Sequence, residues 1–168
     1  MKKLRKLLHI SKKATPLEKL GKAVGIGLLA GLAGTVAITI SQAIEMHLTG
    51  REPSNTPVDA ASKVLHTNLA KEAHTDKQTA SQGVHWAYGT GWGVARGLLG
   101  LAGVTGMPAT LAHFTAIWGA EQVMLPSLKL APPITEEEPK TIGIDVVHHA
   151  VYALAAGLVY DAFTKDDN

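Results

Sequence analysis

The chain contains no cysteine among its 168 residues. That absence excludes a disulfide framework, cysteine-ligated zinc or iron–sulfur, and thiol catalysis. Aromatic residues are also scarce, at 5%, and charged residues reach only 18% beside 46% hydrophobic ones. A chain so poor in charge does not read as disordered. Its net charge of +2 argues against a nucleic-acid partner unless the basic residues cluster on a binding face. They do cluster, but in a pattern that suits a membrane surface. The length allows one domain with a sizeable core and is short for two. What the chain has in surplus is glycine, with 17 copies, and histidine, with eight.

Eight of the 16 Lys and Arg residues precede residue 23, at Lys2, Lys3, Arg5, Lys6, Lys12, Lys13, Lys19 and Lys22. Leu4, Leu7 and Leu8 lie among them at helical spacing, so residues 1–14 read as a basic amphipathic helix for anionic lipid. A cleaved signal peptide fits less well, because the apolar stretch that follows exceeds an h-region. Thr15, Pro16 and Glu18 then form a helix start, with Thr15 as N-cap and Glu18 placed to close a capping box.

Ala23 to Ile44 carries no charge and is long enough to cross a hydrocarbon layer of about 30 Å. Gly27 and Gly31 within it make a GxxxG pair, which lets another helix approach closely. Gly25, Gly27 and Ala30 also spell a dinucleotide fingerprint. That motif needs a preceding strand, whereas Leu17 to Val24 reads as helical. Further apolar stretches predict spans over 84–104, 108–125 and 142–163. The expected fold is therefore all-α: an integral membrane four-helix bundle, one domain over 15–163, with a polar tail at 164–168. A short amphipathic helix from Thr56 to about His66 is expected in the first outer loop, with Thr56 as its cap. Thr105, Gly106 and Met107 alone separate the second and third spans, a tight antiparallel hairpin.

Four spans place both termini on one side. Outside the spans that side holds nine Lys and Arg, the opposite side six. The positive-inside rule then puts both termini in the cytoplasm of a plasma membrane. A soluble glycine-rich helical bundle is the competing reading.

Ionisable residues inside a bilayer are costly unless they pair or face water, so their depth carries information. Glu45, with Ser41 and Gln42, ends the first span; His85 and Tyr88 open the second; Trp118 and Glu121 end the third. Asp145, His148, His149 and Tyr152 follow i, i+3, i+4, i+7 spacing at the start of the fourth, with His148 about 9 Å below Ile142. All four spans thus bring polar side chains to the outer leaflet. Arg96 and His113 lie deeper, and Arg96 is suited to neutralising a buried carboxylate or binding an anion. Tyr160 reads as a marker of the cytoplasmic interface, and the tryptophans as interface anchors.

Imidazole and carboxylate together suit protons or a small cation, and this non-enzymatic role is the leading expectation. The same side chains, chiefly Asp145, His148, His149, Glu121 and His85, are the candidate ligands for a divalent metal. A haem between His113 or His85 and His148 or His149 is a further alternative. A third class is a structural protein that uses Gly27 and Gly31 to form a homo-oligomer and His, Tyr and Ser as interhelical glue. No catalytic residue and no nucleic-acid partner is assigned.

The strings from Glu45 to Ser54, His85 to Thr90, His113 to Glu121 and His148 to Tyr152 look like those of small bacterial membrane proteins. In its four-span plan the chain is similar to the YagU type of bacterial inner-membrane protein. The resemblance implies a bacterial inner-membrane location and a role in envelope or acid stress. It carries over no site residue.

Overall fold

A computed structural model describes residues 14–165. The basic segment expected over 1–14 lies outside the described residues except for Ala14, and so do residues 166–168 of the polar tail. The described chain is all-α, with no strand among the described residues. Its helices are α1 (Pro16–Thr49), α2 (Thr56–Leu65), α3 (Leu69–Glu72), α4 (Lys77–Leu101), α5 (Gly106–Ser127) and α6 (Pro139–Thr164). Gly25, Gly27 and Ala30 lie inside α1 with no strand before them, which removes the dinucleotide reading.

Local chemistry explains the boundaries. Thr15 caps α1: its hydroxyl accepts from the Glu18 N–H at 3.2 Å, and the Glu18 carboxylate accepts from the Thr15 N–H at 2.7 Å. Gly50 ends the helix in the left-handed region, φ 72°, which a residue without Cβ enters at little cost. At α2 the expected cap moves one residue back. Asn55 occupies the N-cap without a side-chain hydrogen bond, and Thr56 becomes the first helical residue because its N–H is taken by the Ser54 hydroxyl at 3.1 Å. Asp76 caps α4 through the Thr79 N–H at 2.9 Å. That helix stops at Leu101, three residues before the expected end, because Gly103 turns the chain with φ 83°. Pro126 lies in the last turn of α5 rather than in the connector; its missing N–H leaves the Gln122 carbonyl without its ladder bond, and the helix ends one residue later. The four-residue α3 was not legible as a helix in the sequence.

The four long helices run up, down, up and down. Helix α1 packs lengthwise against α4 and α6, and α6 also packs on α5. The α1–α4 contact is the tightest. A Cβ at Gly31 would run into the Thr90 carbonyl and the Gly93 backbone, and one at Gly93 would strike the Gly27 carbonyl. Only glycine permits this approach, so the Gly27–Gly31 face is occupied within the chain.

Large aliphatic side chains point outward: Leu29, Leu32, Val36, Ile40, Leu111 and Leu158 are all exposed. The largest fully buried side chains are Arg96, His113, Val58, Thr35 and Ser81. Tyr160, expected at an interface, is instead 3% exposed, in the core, with its hydroxyl donating to the Gly97 carbonyl at 3.3 Å. Two helices, α1 and α6, are long and apolar enough to cross a membrane, with mean hydropathy of 2.1 and 1.6 over their best stretches. Helices α4 and α5 fall short of that measure. Glycines, His85 and Arg96 dilute the first, and His113, Glu121 and Gln122 the second.

Candidate functional site

The bundle has two ends. The turn end carries the α4–α5 connection and the start of α1; the loop end carries α2, α3 and the residues joining α5 to α6. Polar side chains from α1, α4, α5 and α6 gather near the loop end, but the helix periodicity divides them.

On α6, successive residues turn by about 100°, so His148 and His149 face different neighbours. His149 faces α5. Its Nε2 lies 2.8 Å from the Glu121 Oε2 and its Nδ1 3.1 Å from the Asp145 Oδ1. The Asp145 backbone carbonyl is 3.0 Å from the same Nδ1. The second oxygen of Asp145, Oδ2, accepts from the Trp118 indole N–H at 2.8 Å and from the Gln122 amide at 3.3 Å. Glu121, Asp145 and His149 can each turn one ligand atom to within 4.8 Å of the others, and all three are half-buried. Two carboxylates around one imidazole leave the group negatively charged even with the imidazole protonated.

His148 faces α1. Its Nδ1 is 2.8 Å from the Ser41 hydroxyl, and its Nε2 lies 4.0 Å from Glu45 without a hydrogen-bond partner. Glu45 itself is held by Arg51, at 2.7 and 2.9 Å, and by the Thr49 hydroxyl at 2.9 Å. Arg51 therefore balances Glu45 and keeps it out of the His149 group. Tyr152, one turn beyond His148, is buried and donates to the Gly89 carbonyl at 2.6 Å, pinning α6 to α4. The i, i+3, i+4, i+7 series of Asp145, His148, His149 and Tyr152 is thus divided between neighbours, with Asp145 and His149 toward α5, His148 toward α1 and Tyr152 bonded to α4.

The remaining candidates are separate. His85 shares a 3.2 Å hydrogen bond with Thr39 and borders a cavity of about 70 Å³ between the end of α1 and the start of α4, lined also by Gln42, Arg51, Ser54 and Gln82. Tyr88 is 47% exposed and meets Trp92 edge to face at 6.0 Å. His113 is fully buried, with its Nε2 bonded to the Trp92 carbonyl at 2.9 Å and its ring 5.8 Å from that of Tyr152. The histidines proposed for a haem are each tied to a different group, Thr39, the Trp92 carbonyl, Ser41 and the Glu121–Asp145 pair.

At the turn end Arg96 is fully buried. Its guanidinium forms an ion pair with Asp161 and lies 4.3 Å from the centre of the Tyr160 ring. Arg96 thus has a carboxylate partner, but a partly exposed one rather than the buried one expected, and on a residue outside the expected site. Asp161, the one acid of the last α6 turn, was the available signal. Trp118 and Gln122 were likewise missed as partners of Asp145, because an indole near a helix end reads first as an anchor.

No family model, curated protein or solved structure matches this chain.

Proposed function

We propose that the chain is an integral membrane protein that crosses the bilayer four times, through α1, α4, α5 and α6, and binds a small cation at the loop end. The observation that carries this reading is the large aliphatic exterior wrapped around a small-residue interior that holds a few polar side chains. The buried positions are mostly alanine and glycine, with Arg96, His113, His148 and a few hydroxyl residues among them, while large leucine, isoleucine and valine side chains lie on the outside. Such an exterior suits lipid, and α4 and α5 reach it as partners of the more apolar α1 and α6. The surplus of Lys and Arg toward the termini supports a cytoplasmic turn end, in a plasma membrane of the bacterial inner-membrane kind.

Within that setting charge that lacks a partner is costly. Arg96 is matched by Asp161 and Glu45 by Arg51. Glu121 and Asp145 share one imidazole, so the loop end holds an excess carboxylate near the membrane boundary. A cation supplies the missing charge.

The absence of cysteine makes topology directly testable. Single-cysteine variants at Ser54 and Val104, in cells, should label differently with an impermeant thiol reagent: Ser54→Cys from outside, Val104→Cys only after permeabilisation. Release of the protein from membranes by alkaline carbonate would sink the membrane reading. Cation binding is checked by titrating detergent-purified protein with sodium, magnesium and zinc salts while following tryptophan emission. A saturable change lost in Glu121→Gln is expected; no saturable change with any salt removes the cation site.

A further inference from the structure

We propose that the loop-end group is a centre for one divalent transition metal, with His149 Nε2 and Glu121 as its ligands and Asp145 as the residue that positions the imidazole. This deepens the cation-site reading and rests on it.

The assignment follows from which atoms can donate. His149 Nδ1 faces only acceptors, the Asp145 Oδ1 at 3.1 Å and the Asp145 carbonyl at 3.0 Å, so it carries a proton. The other nitrogen, Nε2, is then the ligand atom, and it points at Glu121 Oε2 from 2.8 Å. One proton lies on that short line between nitrogen and oxygen. A metal ion entering there displaces this proton to solvent and bonds the imidazole lone pair and the carboxylate, so the exchange is one metal in and one proton out.

Asp145 is occupied in another way. One oxygen holds the His149 N–H, and the other accepts from both Trp118 and Gln122. A carboxylate fixed by two α5 donors and in turn holding the imidazole N–H is the arrangement that orients metal-binding histidines. Trp118 and Gln122 come from the same helix as Glu121, one turn and one residue away, so α5 supplies both a ligand and the support of the positioning group. Mixed imidazole and carboxylate donors favour zinc, manganese, iron or cobalt over magnesium and calcium, which take oxygen ligands. Side-chain exposures of 12% for His149 and 29% for Glu121 leave room for water in the remaining positions.

The test uses the full chain in detergent, freed of any affinity tag, with Zn²⁺ in equilibrium dialysis and Co²⁺ in absorbance titration. One metal per chain and a cobalt visible band are expected. Both should vanish in His149→Gln and Glu121→Gln, while Asp145→Asn keeps the band and loses roughly 10–100-fold in affinity. Helicity by circular dichroism and monodisperse elution identify variants that have merely unfolded. Loss of the band in folded Asp145→Asn would make Asp145 a ligand and overturn the assigned roles. Glu121-dependent binding of sodium or magnesium without zinc or cobalt would overturn the metal centre and leave the cation reading standing. No binding of any of these ions would remove both.

Discussion

At the turn end one guanidinium meets one carboxylate beneath a tyrosine ring; at the loop end one imidazole lies between two carboxylates. Both arrangements put charge into a glycine-rich bundle, yet they differ in balance and exposure. Arg96 is fully buried and its charge is cancelled by Asp161, so the pair ties α4 to α6 and leaves no net charge, although the Arg96 Nε and Nη1 have no hydrogen-bond partner among the described residues. The loop-end group is half-buried and over-supplied with acid, and two more α5 donors hold its second carboxylate in place. The difference teaches that charge in such a bundle becomes available for binding where pairing is incomplete and where water can reach it.

Substitutions can break or sharpen this contrast, beginning with the scaffold that both ends share. Gly31→Leu should be the most damaging, on the order of 3 kcal/mol or more, because the new side chain meets backbone that cannot swing away. Thermal unfolding in detergent would measure it, with Gly25→Ala as the control. Gly25 faces open space, so alanine there should change stability by less than about 1 kcal/mol, in the stabilising direction.

At the turn end Asp161→Asn leaves a buried guanidinium without its counter-charge and should cost about 3 kcal/mol, toward the low end for a buried pair because Asp161 is partly exposed. Adding Arg96→Met to it should recover part of that loss. A double-mutant cycle with no coupling between the two positions would mean that the pair does not hold the turn end together.

Trp118→Phe keeps the ring stacked on Phe114 but removes the indole donor to Asp145, and should cost about 1–2 kcal/mol by chemical unfolding. It should also weaken zinc binding several-fold, since Asp145 loses one of its two α5 supports. The smallest stability effect is expected from Glu121→Gln, within about 1 kcal/mol, as for an incompletely buried ion pair. If that variant unfolded as readily as Asp161→Asn, the two ends would be alike and the loop-end group would be structural glue.

Much of the layout is legible in the amino-acid sequence. The Thr15–Glu18 capping box, the start of α2 to within a residue and the approximate limits of α5 and α6 follow from caps, breakers and apolar runs, whereas α4 begins at Lys77, seven residues before the expected span, because Asp76 caps a polar first turn. The grouping of polar residues near the loop end was legible as common depth. Their division into a His149 group and a His148 group was not, because spacing along α6 says which residues share a broad face without saying which neighbour each one meets. Arg51 illustrates the same limit: it sits in a loop, and only the fold back toward α1 brings it onto Glu45.

The sequence by itself determined the helical class, since capping chemistry and unbroken apolar stretches act within a few residues of chain. It also determined that the helices could pack closely, through Gly27 and Gly31. Tertiary structure decided that this glycine face meets Gly93 and Thr90 of the same chain, that Asp161 answers Arg96, and that Trp118 and Gln122 hold the carboxylate beside His149. Those pairings join residues 23 to 66 positions apart, and only the docking of whole helices sets which side chains come within reach of one another.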